Sequence, residues 1–338
     1  MIKLMDGSIN FFKQNTVFSV SLILALISCF FVNPSINYLN YINWETIILL
    51  LVIMIIVEVL KNLLVFEILI RKLLTKIHDT RGLVFILVFI CFLSSIVITN
   101  DVSLIMFVPF SIIALKKVNR TDLAVVTVCL QSIAANVGCM LLPTGSPHNI
   151  VLYATSNISF GAFFPILLPY VIVSLVFLFV VLFFIPKDDI LLPELYKVRF
   201  IQKNFFKRVF TGVDYYLILT FIVLFILIGN LENISFFNEL FRNCIRGNEV
   251  LCGVVASQFI SNVPSAILLT GFSSNFKAII IGINVGGFGT LIASMANLIS
   301  FNIFVRHFNE LKTRYLLVFT GLNVVLLLLL LCAYALSF

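Results

Sequence analysis

Two short polar clusters interrupt strongly apolar sequence, and their residue types define the chemistry on offer. Thr99-Asn100-Asp101 lies within the apolar stretch 83–114, and Ser261-Asn262-Val263-Pro264 within 248–274. Side-chain oxygens of Ser, Thr and Asn accept the unpaired N–H groups of a helix start, and proline suits a first turn, where no N–H is needed. Each cluster therefore predicts a tip followed by a helix N-terminus. Free N–H groups and the positive dipole end favour an anion or an acceptor oxygen on a ligand. Asp101 is the sharpest single residue. A carboxylate at mid-depth in apolar surroundings costs ~2.5–3.5 kcal/mol on insertion scales, which calls for a cation to hold or a proton to carry. The plainer alternative is that Asp101 only caps its helix.

Two further clusters carry complementary chemistry. In 138–149, Pro143, Gly145 and Pro147 unwind a helix, and Ser146-Pro147 reads as an N-cap and first-turn proline that restart it. In 284–297, Gly286, Gly287 and Gly289 do the unwinding. Unwound carbonyls beside the oxygens of Asn136, Thr144, Asn149, Asn284, Thr290, Ser294 and Asn297 form hard-ligand sites of the kind that hold Na⁺ in broken-helix transporters. His148, inside the first break, is a candidate ligand donor or proton relay, although a lone His is more often structural. Ser146 and His148 lack a third partner for hydrolysis within the membrane. No paired carboxylates and no metal-ligand spacing suggest an enzyme. No cofactor is expected beyond a coupling Na⁺ or H⁺.

The elements that must position these clusters are membrane spans. Of 338 residues, 61% are hydrophobic and 11% charged, and the mean hydropathy is +1.16. Soluble domains run nearer half apolar and a quarter charged, so the solvent for most of the chain is a lipid bilayer. The net charge of +7 flanks apolar spans instead of forming a basic face, so no nucleic-acid partner is expected. Seven crossings are predicted: 16–32, 44–60, 121–153, 162–185, 214–230, 276–304 and 315–336. The first follows a short basic stretch but has no small-residue cleavage site before Asn33-Pro34, so it reads as retained. The halves of 83–114 would measure roughly 20–24 Å as helices, short of a ~30 Å hydrocarbon core.

Charge decides how the interrupted stretches lie. With both re-entrant and the N-terminus inside, 19 of the 22 Lys and Arg residues fall in the inside segments 1–15, 61–82, 115–120, 187–213 and 305–314. Only Arg242, Arg246 and Lys277 are then outside. If both stretches crossed fully, the division would be 12 against 10. The hairpin reading obeys the positive-inside rule, and it puts the C-terminus outside. Glu58 and Lys61 read as an i,i+3 interfacial pair, while Glu67 and Asp214 read as solvated. The seven cysteines show no CxxC pattern and read as small apolar residues.

The chain also repeats itself. An offset of 162 pairs Thr99-Asn100 with Ser261-Asn262, and an offset of 148 pairs Asn136-Val137-Gly138 with Asn284-Val285-Gly286 and Asn149 with Asn297. A span and a short amphipathic stretch (64–77 or 234–246) precede each hairpin; a broken span and a final span follow. The fold class predicted is therefore an all-α polytopic membrane protein with two inverted repeats. Residues 1–43 add an N-terminal helix and outer loop, 44–186 form the first repeat, 187–213 a cytoplasmic linker, and 214–338 the second repeat. The hairpins are 83–114 and 248–274, and the broken helices 121–153 and 276–304. Paired interruptions in inverted halves point to a secondary transporter with a midplane site.

Thr99-Asn100-Asp101, Ala135-Asn136-Val137-Gly138 through Thr144-Gly145-Ser146-Pro147-His148-Asn149, Ser261-Asn262-Val263-Pro264 and Asn284 to Thr290 together resemble the ion-transporter superfamily. Its members include divalent-anion:sodium symporters, citrate transporters, arsenite permeases and sodium–proton antiporters. The resemblance covers residues ~40–336 in matching order. It implies a scaffold and a transport domain, a homodimer, and an elevator-like shift of hairpins and broken helices in the cell membrane (plasma or inner). In dicarboxylate symporters both tips read Ser-Asn-Thr and bind carboxylate and sodium, a role that Thr99, Asn100, Ser261 and Asn262 would inherit. Asp101 and Val263 replace the tip hydroxyls, which moves the reading towards arsenite permeases and antiporters. The expectation is an ion-coupled transporter of a small anion. Thr99, Asn100, Ser146, Pro147, Asn149, Ser261, Asn262, Pro264, Thr290 and Ser294 would contact the substrate. Asp101, Asn136, Gly138, Thr144, Gly145, Asn284, Gly286, Gly287 and Asn297 would serve the coupling ion, with Na⁺ as the candidate metal. The alternatives are a Na⁺/H⁺ antiporter exchanging at Asp101 and, more remotely, a channel subunit or intramembrane hydrolase.

Overall fold

A computed structural model describes residues 16–63, 77–156, 158–190 and 204–336. Of the amphipathic stretch 64–77, only Ile77 is among them; Glu67 and the linker segment 191–203 lie outside the described residues. The described chain is helical apart from an isolated bridge between Asp79 and Asp189. Helix α1 (Thr16–Ser28) precedes α2 (Trp44–Asn62). A helix pair follows, α3 (Thr80–Val97) and α4 (Asn100–Lys117), joined by two residues. Helices α5 (Ala124–Gly138) and α6 (Pro147–Ser156) are separated by a break, and α7 (Phe160–Phe183) closes the first half. After α8 (Phe205–Gly212), the order returns. Helices α9 (Tyr215–Asn233) and α10 (Ser235–Ile245) lead to the pair α11 (Glu249–Ile260) and α12 (Asn262–Phe272). Helices α13 (Phe276–Gly286) and α14 (Met295–His307) flank the second break, and α15 (Lys312–Leu336) ends the chain.

Local chemistry sets these boundaries. Asn43, Asp79, Asp214 and Asn275 each cap a helix by accepting a backbone N–H three residues on. Among the described residues, five helices are long and apolar enough to cross a membrane: Thr80–Val97, Thr121–Gly138, Phe160–Phe183, Phe205–Asn233 and Asn309–Leu336. Helix α1, with 13 residues, is shorter than the span expected over 16–32. Helix α2 has the length but carries Glu45, Glu58 and Lys61.

The first helix pair departs from the halves read off hydropathy. Its arms are 18 residues each, about 27 Å at 1.5 Å per residue. The Asp79 cap starts α3 before the apolar run begins, and Lys116 and Lys117 extend the last turn of α4, where cations suit the dipole. The second pair is short, at 12 and 11 residues. Both pairs close at their bases. Thr80 N donates to Asp188 O at 2.9 Å, Arg81 Nε to Ile185 O at 2.9 Å, and Arg120 pairs with Asp188 at 2.5 Å. The base of the first pair is thus tied to the chain that leaves α7. In the second pair Ser273 Oγ donates to Glu249 Oε1 at 2.9 Å, joining the two ends directly.

Glycine lets each pair lie against its broken helix. A Cβ on Gly138 would overlap the Phe92 carbonyl oxygen and Ser95 Oγ. One on Gly286 would approach Ser257 Oγ at 2.8 Å and Gly253 O at 2.9 Å. Ser95 and Ser257 are related by the same offset of 162 that relates the tips. Gly138→Ala should cost about 1–3 kcal/mol by overpacking, read as a lower melting temperature and a smaller monodisperse peak in detergent. Gly321→Ala, where a Cβ meets nothing within 4 Å, should leave both unchanged.

Candidate functional site

Both tips meet the breaks, and buried amides make the connection. Asn100 Nδ2 donates to Asn136 Oδ1 at 2.9 Å, so the first tip is held by the end of α5. Asn136 Nδ2 in turn donates to Asn297 Oδ1 at 2.8 Å, which also accepts from Ser132 Oγ at 2.9 Å. The first half is thereby fastened to the start of α14. The reciprocal bond is present: Asn284 Nδ2 donates to Asn149 Oδ1 at 2.7 Å. The 148-residue offset converts one of these bonds into the other. It also relates Asn149 Nδ2 to Cys139 O (3.0 Å) and Asn297 Nδ2 to Gly287 O (3.1 Å), the bonds that hold the unwound segments. All four asparagines are buried, so each lost bond would leave an unpaid polar group.

The restart after the first break follows the sequence reading. Ser146 is extended and its Oγ accepts from Asn149 N at 3.3 Å, with Pro147 at the first helical position. His148 Nε2 lies 3.1 Å from Ser146 Oγ and 3.3 Å from Asn284 Oδ1. A protonated Nε2 would donate to the Asn284 amide oxygen, which only accepts, and so link the two halves. In the second half Ser294 Oγ turns away from its own helix and donates to Asn136 Oδ1 at 3.3 Å. The second tip is anchored by its backbone, with Asn262 N donating to Ala293 O at 3.0 Å. Ser261, at φ 71°, occupies a conformation that favours glycine, a strain of the kind found at functional sites. Pro264 is buried in the first turn of α12.

Other expected residues are placed differently. Gly138, Gly145 and Gly286 lie where a side chain would strike neighbouring atoms, and Gly287 packs beside Asn262. Thr144 is half-buried, and its side chain makes no hydrogen bond among the described residues. Thr290 is exposed and bonds to Gln258 O at 3.2 Å. Gln258 itself was not singled out, yet its amide donates to Gly286 O at 2.9 Å and Phe288 O at 3.0 Å while accepting from Thr290 N. Gln131 plays a comparable part in the first half, donating to Leu87 O and Ser111 Oγ. Both are amides stranded in apolar sequence, a signal of the same kind as the asparagines.

Asp101 lies outside this amide network. It is half-buried, its backbone N–H bonds to Asn100 Oδ1 at 3.0 Å, and its carboxylate accepts no hydrogen bond among the described residues. It faces a cavity of about 300 Å³ that also reaches Thr99, Pro147 and Met295, three elements of the polar core. The starts of α4, α6 and α14 thus bring helix N-termini to one space, which favours negative charge there. The expected Glu58–Lys61 pair is present at 2.9 Å on the far wall. No group of three or more metal-ligating side chains occurs among the described residues.

Long apolar helices with two interrupted ones meeting in a buried polar core define a multi-pass membrane transporter. The chain belongs to the citrate transporter family (CitMHS), whose sequence profile matches residues 13–275. It is 30% identical to the uncharacterized transporter MJ0456 of Methanocaldococcus jannaschii, over 94% of this chain and 95% of that one. It is 28% identical to the inner membrane protein YbiR of Escherichia coli, over 77% and 79%. A shorter similarity, 30% over 38% of this chain and 22% of the other, links it to the transporter arsB of Dictyostelium discoideum.

The amide cross-brace makes a quantitative forecast. Asn136→Ala and Asn297→Ala should each destabilise the protein, and the double variant by less than their sum. The coupling energy should be about 0.5–3 kcal/mol, measured by reversible unfolding in mixed micelles.

Proposed function

We propose that the chain is an ion-coupled secondary transporter of a small anion or oxyanion. The observation that carries this reading is the convergence of both tips and both breaks on one hydrogen-bonded core, with Asn136–Asn297 and Asn284–Asn149 binding the halves together. Polar, non-helical backbone at membrane depth is tolerated where it is buried in protein or lines a cavity. Helix starts at Asn100, Pro147, Asn262 and Met295 offer N–H groups suited to an anion. Carbonyl and amide oxygens of the breaks suit Na⁺.

In this reading α3/α4 and α11/α12 are re-entrant hairpins of inverted repeats, 44–186 and 214–338. The N-terminus is inside and the C-terminus outside, with about seven full crossings. The hairpins and broken helices shift as one body against α2 and α9, in a homodimer. The repeat-related amide bonds support the internal repeat, the distribution of Lys and Arg supports its inversion, and the resemblance of the motifs supports dimer and elevator. The family description, citrate transporter, favours a carboxylate as cargo, and the resemblance of the tip motifs to arsenite permeases extends this to an oxyanion. The name of the E. coli relative favours the plasma or inner membrane. A second reading, a Na⁺/H⁺ antiporter, is favoured by Asp101 itself: it is the one charged residue in either tip cluster.

Proteoliposome flux separates these readings. An imposed Na⁺ or H⁺ gradient should drive saturable uptake of citrate or an arsenic oxyanion. Asp101→Asn should lower the gradient-driven component at least about tenfold, within the usual range of coupling between sites. Na⁺-dependent dequenching of a pH dye with no anion requirement would make the protein an antiporter, and ohmic current without saturable flux a channel.

A further inference from the structure

The amphipathic helix α10 carries chemistry that the transport reading does not use. Glu239, Arg242, Asn243 and Arg246 recur at i, i+3, i+4 and i+7, so they share one helical face. That face lines a cavity of about 650 Å³, whose opposite wall is the turn from α12 to α13. Glu249, the first residue of α11, lines it as well. Arg242 Nε donates to Asn238 Oδ1 at 2.6 Å, and Glu249 Oε1 accepts from Ser273 Oγ. None of the four charged side chains is within ion-pair distance of an opposite charge among the described residues. Glu249 is only 5% exposed, and a carboxylate so buried ordinarily has a charged partner. Two arginines and two carboxylates thus border one space without pairing.

The place of this cavity in the fold points to what pairs them. Three apolar helices reach it by their ends: α11 through Glu249, α12 through Phe272 and α13 through Phe276. The level at which apolar helices end is the headgroup level of a bilayer. Helix α10 suits that level. Phe241 packs on Phe272 with ring centres 5.0 Å apart, which fixes α10 to the end of α12. Phe236 and Leu240, one turn apart, are left exposed, as in a helix that lies in the interface and directs apolar side chains at acyl chains. A simple anion in the cavity would meet two carboxylates, and a simple cation two arginines. A headgroup with a phosphate and a primary ammonium satisfies both signs: guanidinium forks bind phosphate oxygens, and an ammonium brings three donors to carboxylates.

We propose that this cavity binds the headgroup of an aminophospholipid, with Arg242 and Arg246 on the phosphate and Glu239 and Glu249 on the ammonium. The acyl chains run along Phe236 and Leu240. The site is separate from the asparagine core and depends on neither the cargo nor the coupling ion. Because α10 joins α9 to the pair α11/α12, a lipid held here braces that connection.

Thermal unfolding of the purified full chain in mixed micelles tests the site, with dioleoyl phosphatidylethanolamine as the probe. Phosphatidylcholine and phosphatidylglycerol with the same acyl chains are the comparisons, because choline has no N–H to donate and glycerol no charge. The ethanolamine lipid should stabilise wild type saturably, with a half-saturating mole fraction about tenfold below those of the other two, the effect expected for one charge-assisted hydrogen bond. Arg246→Gln should raise that fraction about tenfold, and Glu239→Gln should bring it close to the value for the choline lipid. Both residues are exposed, so the melting temperature without lipid should not change. Equal stabilisation by all three lipids, strongest stabilisation by phosphatidylglycerol, or an ethanolamine preference that survives Glu239→Gln overturns the site. Free phosphoethanolamine separates lipid from a soluble zwitterion: stabilisation by it as potent as that by the lipid overturns the lipid assignment.

Discussion

Hydrogen bonding of amides buried inside an apolar protein is the constraint on which the rest of the structure depends. Breaking a helix inside an apolar protein frees N–H and carbonyl groups that cost several kcal/mol each if left unpaired. The chain breaks two helices and answers each with an asparagine from three residues into the restarted helix: Asn149 holds Cys139 O, and Asn297 holds Gly287 O. The remaining face of each asparagine then meets the break of the other half, through Asn284 and Asn136. One device thus stabilises the irregular backbone and joins the halves. It also leaves helix starts directed at a shared interior, which a transporter needs.

Glycine and serine make that arrangement sterically feasible. Gly138 and Gly286 let the broken helices touch the helix pairs, with Ser95 and Ser257 satisfied within their own helices by Phe92 O and Gly253 O. The tips then fall beside the breaks. Ser94 and Ser103 share a hydrogen bond at 2.6 Å between the arms of the first pair, which fixes the tip from below. Asp101 is carried at the end of this rigid assembly, facing a cavity instead of a partner. The Gln258 and Gln131 braces differ between the halves: residues at the equivalent positions, Ile96 and Ile279, are apolar. The chain therefore keeps the repeated asparagines while letting the surrounding supports diverge.

Much of this is legible in the sequence because polar groups are conspicuous in apolar stretches. The tips at Thr99–Asp101 and Ser261–Pro264, the restart at Ser146-Pro147, and the breaks near Gly138 and Gly286 all occur where residue types predict them. The Glu58–Lys61 pair follows from i,i+3 spacing. What hydropathy does not convey is where a helix continues beyond its apolar run. Helices α3 and α4 extend to Thr80 and Lys117 through a cap and terminal lysines, features that a hydrophobic window discounts. Asp214 reads as merely solvated for a similar reason. It is exposed and caps α9, and only the three-dimensional packing brings it to the same cavity as Asp101. Thr144 and Thr290 show the converse, matching the motif while standing apart from the amide network.

The proposed motion of a rigid polar core against α2 is most directly tested by distances between spin labels, measured by pulsed electron resonance in lipid. Labels at Ile48 on α2 and Leu93 on α3, both exposed, report core against scaffold; labels at Leu93 and Val255, also exposed, report within the core. Changing the Na⁺ or proton gradient should shift the first distance by several ångströms, in two resolved populations, while the second stays fixed. A first distance that never changes, or a second that changes equally, would contradict a core built as one body by its crossed asparagines.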